Sequence, residues 1–480
     1  MNNRKILVKP HLLFVLNLLY PYLTLLIIPV IRGFWQYVIG KEGTISQFLL
    51  WEFLILIAVI IVAIIKLKMT SIVFDENISI KKGLFCRVEY TIKKDKSMIT
   101  VIESNPILRL IGVFRLKIYT EAGRRSRPDE SILIGVKDAK KLYEINAVNG
   151  QSVRSNTYGE VIMSAALSSS ATGILLSIPI VKLSFSLLGE SLPSLLPKIR
   201  SQALKDIQLL KLGQYITVLL VVGYIISFFV LFFRNYGFSS VRSNGKIILQ
   251  SGKLPRRTVF LSENSINAVK FVTAPLMLLA KKCAVKFSAC GYGLGKGEIG
   301  LLVPSVKPSI AKGLTKWLLP SYNFINDGLV PPKKAIRRCI KLPLAFILIS
   351  VVSTIFAYRL YPNTLKPLLP IMSFVILLIV VWSAMRIYGF FKSGLSLTET
   401  EIKMKFVKMF HFTEIQSLKR ELFCIKISVT PFDRLHGQCS VSVRFQGKNK
   451  DTAKVKYIEL CKIKEFFWKI CWFVNDVLQN

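Results

Sequence analysis

Six apolar stretches, each close to the length that crosses a bilayer, constrain this chain more than any other feature. They cover residues 12–31, 48–65, 171–188, 213–233, 342–358 and 368–385. A bilayer's hydrocarbon core takes roughly 17–25 residues of helix, so these stretches read as six transmembrane helices. They fall in pairs, and a longer run of mixed, basic sequence follows each pair. The expected organisation is a transmembrane hairpin at 1–66 with a domain at 67–168, a second hairpin at 169–233 with a domain at 234–330, and a third hairpin at 331–388 with a domain at 389–480. Arg4, Lys5 and Lys9 precede the first stretch like the n-region of a signal peptide. No small-x-small cleavage site follows, so it reads as a retained helix. The stretch 171–188 departs most from the pattern, with Pro179 and Lys182 inside it. An intramembrane lysine is a functional candidate; the preferred reading is that Lys182 snorkels to the interface or faces a neighbouring helix.

Charge gives the orientation. The chain holds 66 Lys+Arg against 27 Asp+Glu, a formal net charge of +39. The three inter-helix links carry few of these cations: Arg32, Lys41, Lys198, Arg200, Lys205, Lys211, Arg359 and Lys366. Basic segments stay on the cytoplasmic side, so both termini and all three domains are expected there, in a multi-pass protein of the bacterial cell membrane. The excess also suits contact with anionic lipid headgroups. Juxtamembrane Lys333, Lys334, Arg337 and Arg338, and Arg124, Arg125 and Arg127 in a turn-rich loop, are the candidate lipid or partner contacts.

The hydrophilic regions repeat. Region 75–119 overlays 244–288 without gaps, pairing Gly83 with Gly252, Arg87 with Arg256 and Pro106 with Pro275. The third region returns to the same pattern through Pro431, Arg434 and Gly437. Ile78/Ile80, Val88/Tyr90/Ile92 and Leu116/Ile118 alternate with polar residues at the period of half-buried strands. Glycines at 83 and 252 mark hairpins between such runs. Each region then ends in a helical stretch, KDAKKLYEI, PSIAKGLTKWLL and LCKIKEFFWKICWFVNDVL.

This order resembles the YdbT-type family of bacterial membrane proteins, which carry three membrane-flanked pleckstrin-homology-like (PH-like) domains. The residues that carry the resemblance are the G-L-F-x-R turn (Gly83, Leu84, Phe85, Arg87) and the N-P-x-x-R-x-x-G segment (Asn105, Pro106, Arg109, Gly112). The resemblance implies a PH-like β-barrel or sandwich capped by a C-terminal helix after each hairpin, an α+β membrane protein overall. It also implies a smaller single-PH-domain membrane partner and, through relatives in bacteriocin clusters, immunity to cationic membrane-active peptides. The third region departs from the pattern, with VKMF in place of the turn.

Nothing in the chain reads as catalytic. His11, His411 and His436 are its only histidines and form no metal-binding spacing. The eight cysteines show no CxxC pair and read as small apolar residues of a reducing compartment. GYGLGKG at 291–297 lacks the Lys-Ser/Thr of a P-loop and lies between strand-like runs, so it reads as a hairpin. No recognition helix or stacking platform for nucleic acid is visible. The expectation is a non-enzymatic protein without cofactor or metal, giving immunity to cationic peptides. The alternatives are a cytoplasmic-face scaffold for partner proteins or anionic lipids, and a transporter component.

Overall fold

A computed structural model of the chain describes residues 6–15, 19, 45–75, 77–83, 87–93, 98–120, 128–146, 150, 152–167, 209–243, 245–253, 256–289, 292, 300–323, 328–360, 369–398, 400–408, 410–445 and 452–463. The chain folds as two compact units. One is Met1–Gln151 with Val241–Gln250 and Leu254–Ser265; the other is Ser152–Ser240 with Ser251–Lys253 and Ile266–Asn480.

In the first unit, β1 (Ile6–Val8), β2 (Ser71–Phe74), β3 (Asn77–Lys82) and β4 (Val88–Lys93) form one antiparallel sheet in that order. The helix α1 (Ile45–Met69) leads into β2. Then β5 (Ile99–Ser104), the short α2 (Pro106–Leu110), β6 (Val113–Tyr119), β7 (Glu130–Gly135) and α3 (Val136–Asn146) follow. Alternation places Ile78 and Ile80 of β3 and Leu116 and Ile118 of β6 in a single core with Ile132 and Ile134. Burying each such side chain contributes about 1.5–3 kcal/mol.

The chain next runs through β8 (Ser152–Arg154), α4 (Thr157–Leu167) and α5 (Leu209–Asn235), which belong to the second unit. It crosses back along β9 (Ser239–Ser243) and then forms β10 (Lys246–Ser251) and β11 (Arg256–Ser262). β11 pairs antiparallel with β5, from Arg256 opposite Ser104 to Phe260 opposite Thr100. The second sheet thus contains the run β7-β6-β5-β11-β10. Phe260 joins the first unit's core, and Tyr143 of α3 packs edge-on against its ring at 5.8 Å.

The second unit repeats the arrangement. β12 (Ile266–Thr273), α6 (Pro275–Leu279), β13 (Cys283–Ala289), β14 (Leu301–Val306) and α7 (Pro308–Leu318) precede two long helices, α8 (Ile336–Leu360) and α9 (Leu369–Lys392). After them come β15 (Gly394–Leu397), β16 (Glu401–Lys408), β17 (His411–Leu418), β18 (Leu422–Ser428), α10 (Pro431–Arg434), β19 (Gln438–Phe445) and β20 (Thr452–Glu459). One sheet has the order β14-β13-β12-β17-β16-β15 and the other β18-β19-β20. Here β12 pairs with β17, from Ala268 opposite Ser417 to Thr273 opposite Phe412.

The sequence repeat is therefore a repeat of elements. β3–β4–β5–α2–β6, β10–β11–β12–α6–β13 and β16–β17–β18–α10–β19 follow one another with Pro106, Pro275 and Pro431 at the same place. The strands do not close on themselves repeat by repeat. In each unit the second half of one repeat shares a sheet with the first half of the next, across β5–β11 and β12–β17.

Six transmembrane helices in three hairpins are not what the structure holds. Among the described residues it is built on four antiparallel sheets, and one helix, Lys333–Phe356, is long and apolar enough to cross a membrane. The stretch 171–188 lies outside the described residues, as does most of 12–31. An apolar run of this length is shared by a lipid-facing helix and by one packed against its own chain. α1 packs in part against its own unit, with Ala63 buried beside Val15 and Leu19. α8 and α9 pack together, with Phe346 and Trp382 edge to face at 6.0 Å. The expected closing helices form at α3 and α7; of the third, residues 460–463 are helical and the residues after Ile463 lie outside the described residues. Of the glycine-rich stretch 291–297 expected as a hairpin, Tyr292 forms a bridge with Ala289, and the other six residues lie outside the described residues.

Candidate membrane-contact surface

A proline-led turn between two strands recurs at Pro106, Pro275 and Pro431. Proline fixes φ and lacks an N–H, so it suits the first position of a helix. Asn105, Ala274 and Thr430 stand before it with extended backbone, at ψ of 157°, 164° and 158°. Thr430 completes the start of α10 as a capping box with Asp433, its hydroxyl donating to Asp433 Oδ2 at 2.7 Å. Each turn ends at a left-handed residue that redirects the chain into the next strand: Gly112 (φ 71°), Lys281 (φ 51°) and Gly437 (φ 61°). Lys281 shows that the geometry, rather than the glycine, is what repeats.

What these turns present is apolar. The residues one and four places after each proline are Ile107 and Leu110, Leu276 and Leu279, and Phe432 and Leu435. Leu110, Leu279 and Leu435 are 89%, 81% and 81% exposed, although their side chains would be core residues on composition alone. Cations flank them: Arg109, the pair Lys281 and Lys282, and Arg434. Large exposed apolar side chains repeated at one structural position mark a contact surface.

The second unit adds basic cavities around the ends of α8 and α9. One of about 390 Å³ is lined by Pro332, Lys334, Arg337, Arg338, Lys341, His436, Gln438 and Glu459. Arg338 is held in place: it donates to Asp433 Oδ1 and to Gln438 Oε1, both at 2.9 Å, with its guanidinium 5.6 Å from the Tyr457 ring. Burial pushes the Asp433 carboxyl up, but hydrogen bonds from Thr430 and the charge of Arg338 bring it below the ordinary carboxylate range. Glu459 is engaged by Lys462 at 2.8 Å. Lys334, Arg337 and Lys341 therefore face the cavity with its nearby carboxylates already committed. A second cavity, of about 220 Å³, is lined by Arg386, Lys454 and Lys456 among apolar residues. Burial, with Arg386 and Lys454 nearby, holds the Lys456 ammonium below its usual range. A third, of about 210 Å³, gathers Lys281, Lys282, Lys312, Lys392 and Lys405 around the single carboxylate of Glu414.

The residues singled out in the sequence are dispersed. Lys334, Arg337 and Arg338 meet at one cavity; Lys333 lies in the turn just before α8. Arg124, Arg125 and Arg127 lie outside the described residues. Gly83 (φ 135°) and Gly252 (φ 89°) occupy hairpin ends as glycine allows, and exposed Arg87 stands just before β4. Arg256 opens β11 opposite Ser104. In the third region β16 and β17 pair out to Lys408 opposite His411, where the sequence has VKMF in place of the G-L-F-x-R turn. Sequence reasoning missed Arg386, Lys454 and Lys456. Lys454 and Lys456 alternate along β20 and so share a face, a readable signal; their approach to Arg386 depends on packing between distant elements. Among the described residues no three His, Cys, Asp or Glu stand together to hold a metal ion. Cys283, Cys339 and Cys439 are buried free thiols, while Cys424 and Cys461 are exposed.

Comparison with known families bears on the first repeat. Residues 10–147 match the bacterial PH domain. This span contains β2 to β7 and α3, so the bacterial PH domain includes the first proline-led turn and its exposed Ile107 and Leu110. No curated protein and no solved structure matches the chain.

Proposed function

We propose that this protein is a non-enzymatic scaffold at the cytoplasmic face of the bacterial membrane, built from three successive PH-like repeats that engage anionic lipid. The observation that carries this reading is the exposed apolar pair after Pro106, Pro275 and Pro431, flanked by cations. Such side chains gain by entering the headgroup boundary, while juxtamembrane cations contribute on the order of 1 kcal/mol each against an anionic leaflet. The helix Lys333–Phe356 supports residence in the membrane, and the basic cavity at its start supports binding of phosphate-bearing headgroups. Extension of the PH assignment to the later repeats is supported by their matching order of strands and proline-led turn. The test is an environment-sensitive fluorophore at Leu110→Cys, Leu279→Cys or Leu435→Cys in the full chain, reconstituted in nanodiscs containing phosphatidylglycerol. Blue-shifted emission quenched by brominated lipid is expected at all three; water-like, unquenched emission at all three contradicts the proposal.

A second reading, resistance to cationic membrane-active peptides with a smaller PH-domain partner, is favoured by the net charge of +39. A surface this basic disfavours accumulation of another cation beside it. Heterologous expression that gives no protection against any such peptide would exclude it.

A further inference from the structure

Two strand pairings join successive repeats, and the same pairing is left open at both ends of the series. β5 receives β11, and β12 receives β17. Both seams have one register relative to the repeat: the residue two before the proline, Ser104 or Thr273, stands opposite the same repeat position of the incoming strand, Arg256 or Phe412. By sequence alignment the third repeat's receiving strand is β18, and the first repeat's incoming strand is β4. Among the described residues β18 pairs only with β19, and β4 is the last strand of its sheet.

Burial separates the used edges from the open ones. β5 and β12 are almost wholly buried, whereas β18 leaves Phe423 75% exposed and Ile427 41% exposed. In β4, Val88 is 48% exposed, and Glu89 and Thr91 are exposed as well. An edge of this length, carrying apolar side chains and with no neighbouring strand among the described residues, is a template for another strand.

We propose that β18 of one chain pairs antiparallel with β4 of a second copy, continuing between molecules the seam that joins repeats within one. The occupant follows from the two internal seams: a receiving strand of this repeat takes an incoming strand of this repeat, and among the described residues β4 is the incoming strand that no other repeat uses. The repeat register places Val429 opposite Arg87, Ile427 opposite Glu89 and Cys424 opposite Ile92. Main-chain hydrogen bonds supply the affinity, and alternate side chains set the register. Because β4 and β18 are different surfaces, the contact is heterologous and builds rings or filaments.

The test uses the full chain in lipid nanodiscs or mild detergent. One version keeps Cys424 with the other cysteines changed to serine; the other, tagged, has Ile92→Cys as its single cysteine. Mild oxidation of the mixture is expected to give a mixed disulfide, roughly tenfold more than with Thr91→Cys, whose side chain points to the opposite face. Ile427→Cys with Glu89→Cys, both at exposed positions, repeats the test without touching the core. Absence of in-register product from both pairs, in chains shown to be folded, overturns the proposal. So does equal product out of register, or recovery of a different protein on β18 while the copies remain unlinked.

Discussion

β5 and β18 are the same strand of the repeat, yet one is interior and the other is a rim. Ile102 in β5 and Ile427 in β18 hold equivalent places before Pro106 and Pro431; the first is 1% exposed and the second 41%. Their own hairpins are alike, β5 with β6 and β18 with β19. The difference is the neighbour: β11 covers β5, and among the described residues no strand covers β18. Burial in this fold is thus set by which repeat comes next, as well as by the sequence of the strand itself.

Cavity formation separates β5 from β18 most strongly. Ile102→Ala is expected to cost about 2–5 kcal/mol in chemical unfolding, while Ile427→Ala costs under about 1 kcal/mol in dilute protein. Equal losses would show that β18 is already covered. The next largest effect contrasts Lys117 with Lys286, which stand at one position of successive repeats. Lys117 bonds Glu103 at 2.7 Å; where the first repeat has Glu103, the second has Val272. Burial, with Lys270 nearby, holds the Lys286 ammonium down to about 8. Between there and the ordinary value near 10.4 the unfolded chain binds more protons than the folded one, so stability rises with pH across that window. Lys286→Met is expected to remove this rise and to stabilise the second unit near pH 7 by on the order of 2 kcal/mol, read from unfolding at several pH values.

Smaller effects sharpen the same contrast. Glu103 also faces Arg257 across the β5–β11 seam at 3.1 Å, with Arg257 largely buried. Glu103→Gln is expected to cost about 1.5–3 kcal/mol at neutral pH, measured by denaturant unfolding. Gly112→Ala is expected to cost about 1–2 kcal/mol, because its φ is 71° and an added Cβ would lie 3.1 Å from Val136 Cγ2. Lys281→Gly, at the equivalent left-handed residue, is expected to be neutral or to stabilise by under about 1 kcal/mol in thermal unfolding.

Much of this was legible in residue patterns. The alternation of Ile78/Ile80 and Leu116/Ile118 and the spacing of Gly83, Pro106 and Gly112 are local signals, and local backbone physics places them. The seams were not legible, because pairing of β5 with β11 depends on strands far apart in the chain. The six apolar stretches misled in the opposite way. Hydrophobicity over eighteen or so residues reports that a helix avoids water, and says nothing of whether lipid or protein covers it. At the contact surface, Pro106, Pro275 and Pro431 were visible as a motif, but exposure of Leu110, Leu279 and Leu435 is a tertiary fact.

Amide hydrogen exchange of the full chain, followed over a range of protein concentrations, tests the shared-seam account most directly. Slow, concentration-independent exchange is expected in β5 and β12, with fast exchange in β18 and β4 at dilution that slows together as concentration rises. Exchange in β18 that is fast at every concentration, or protection of β18 without β4, would contradict it.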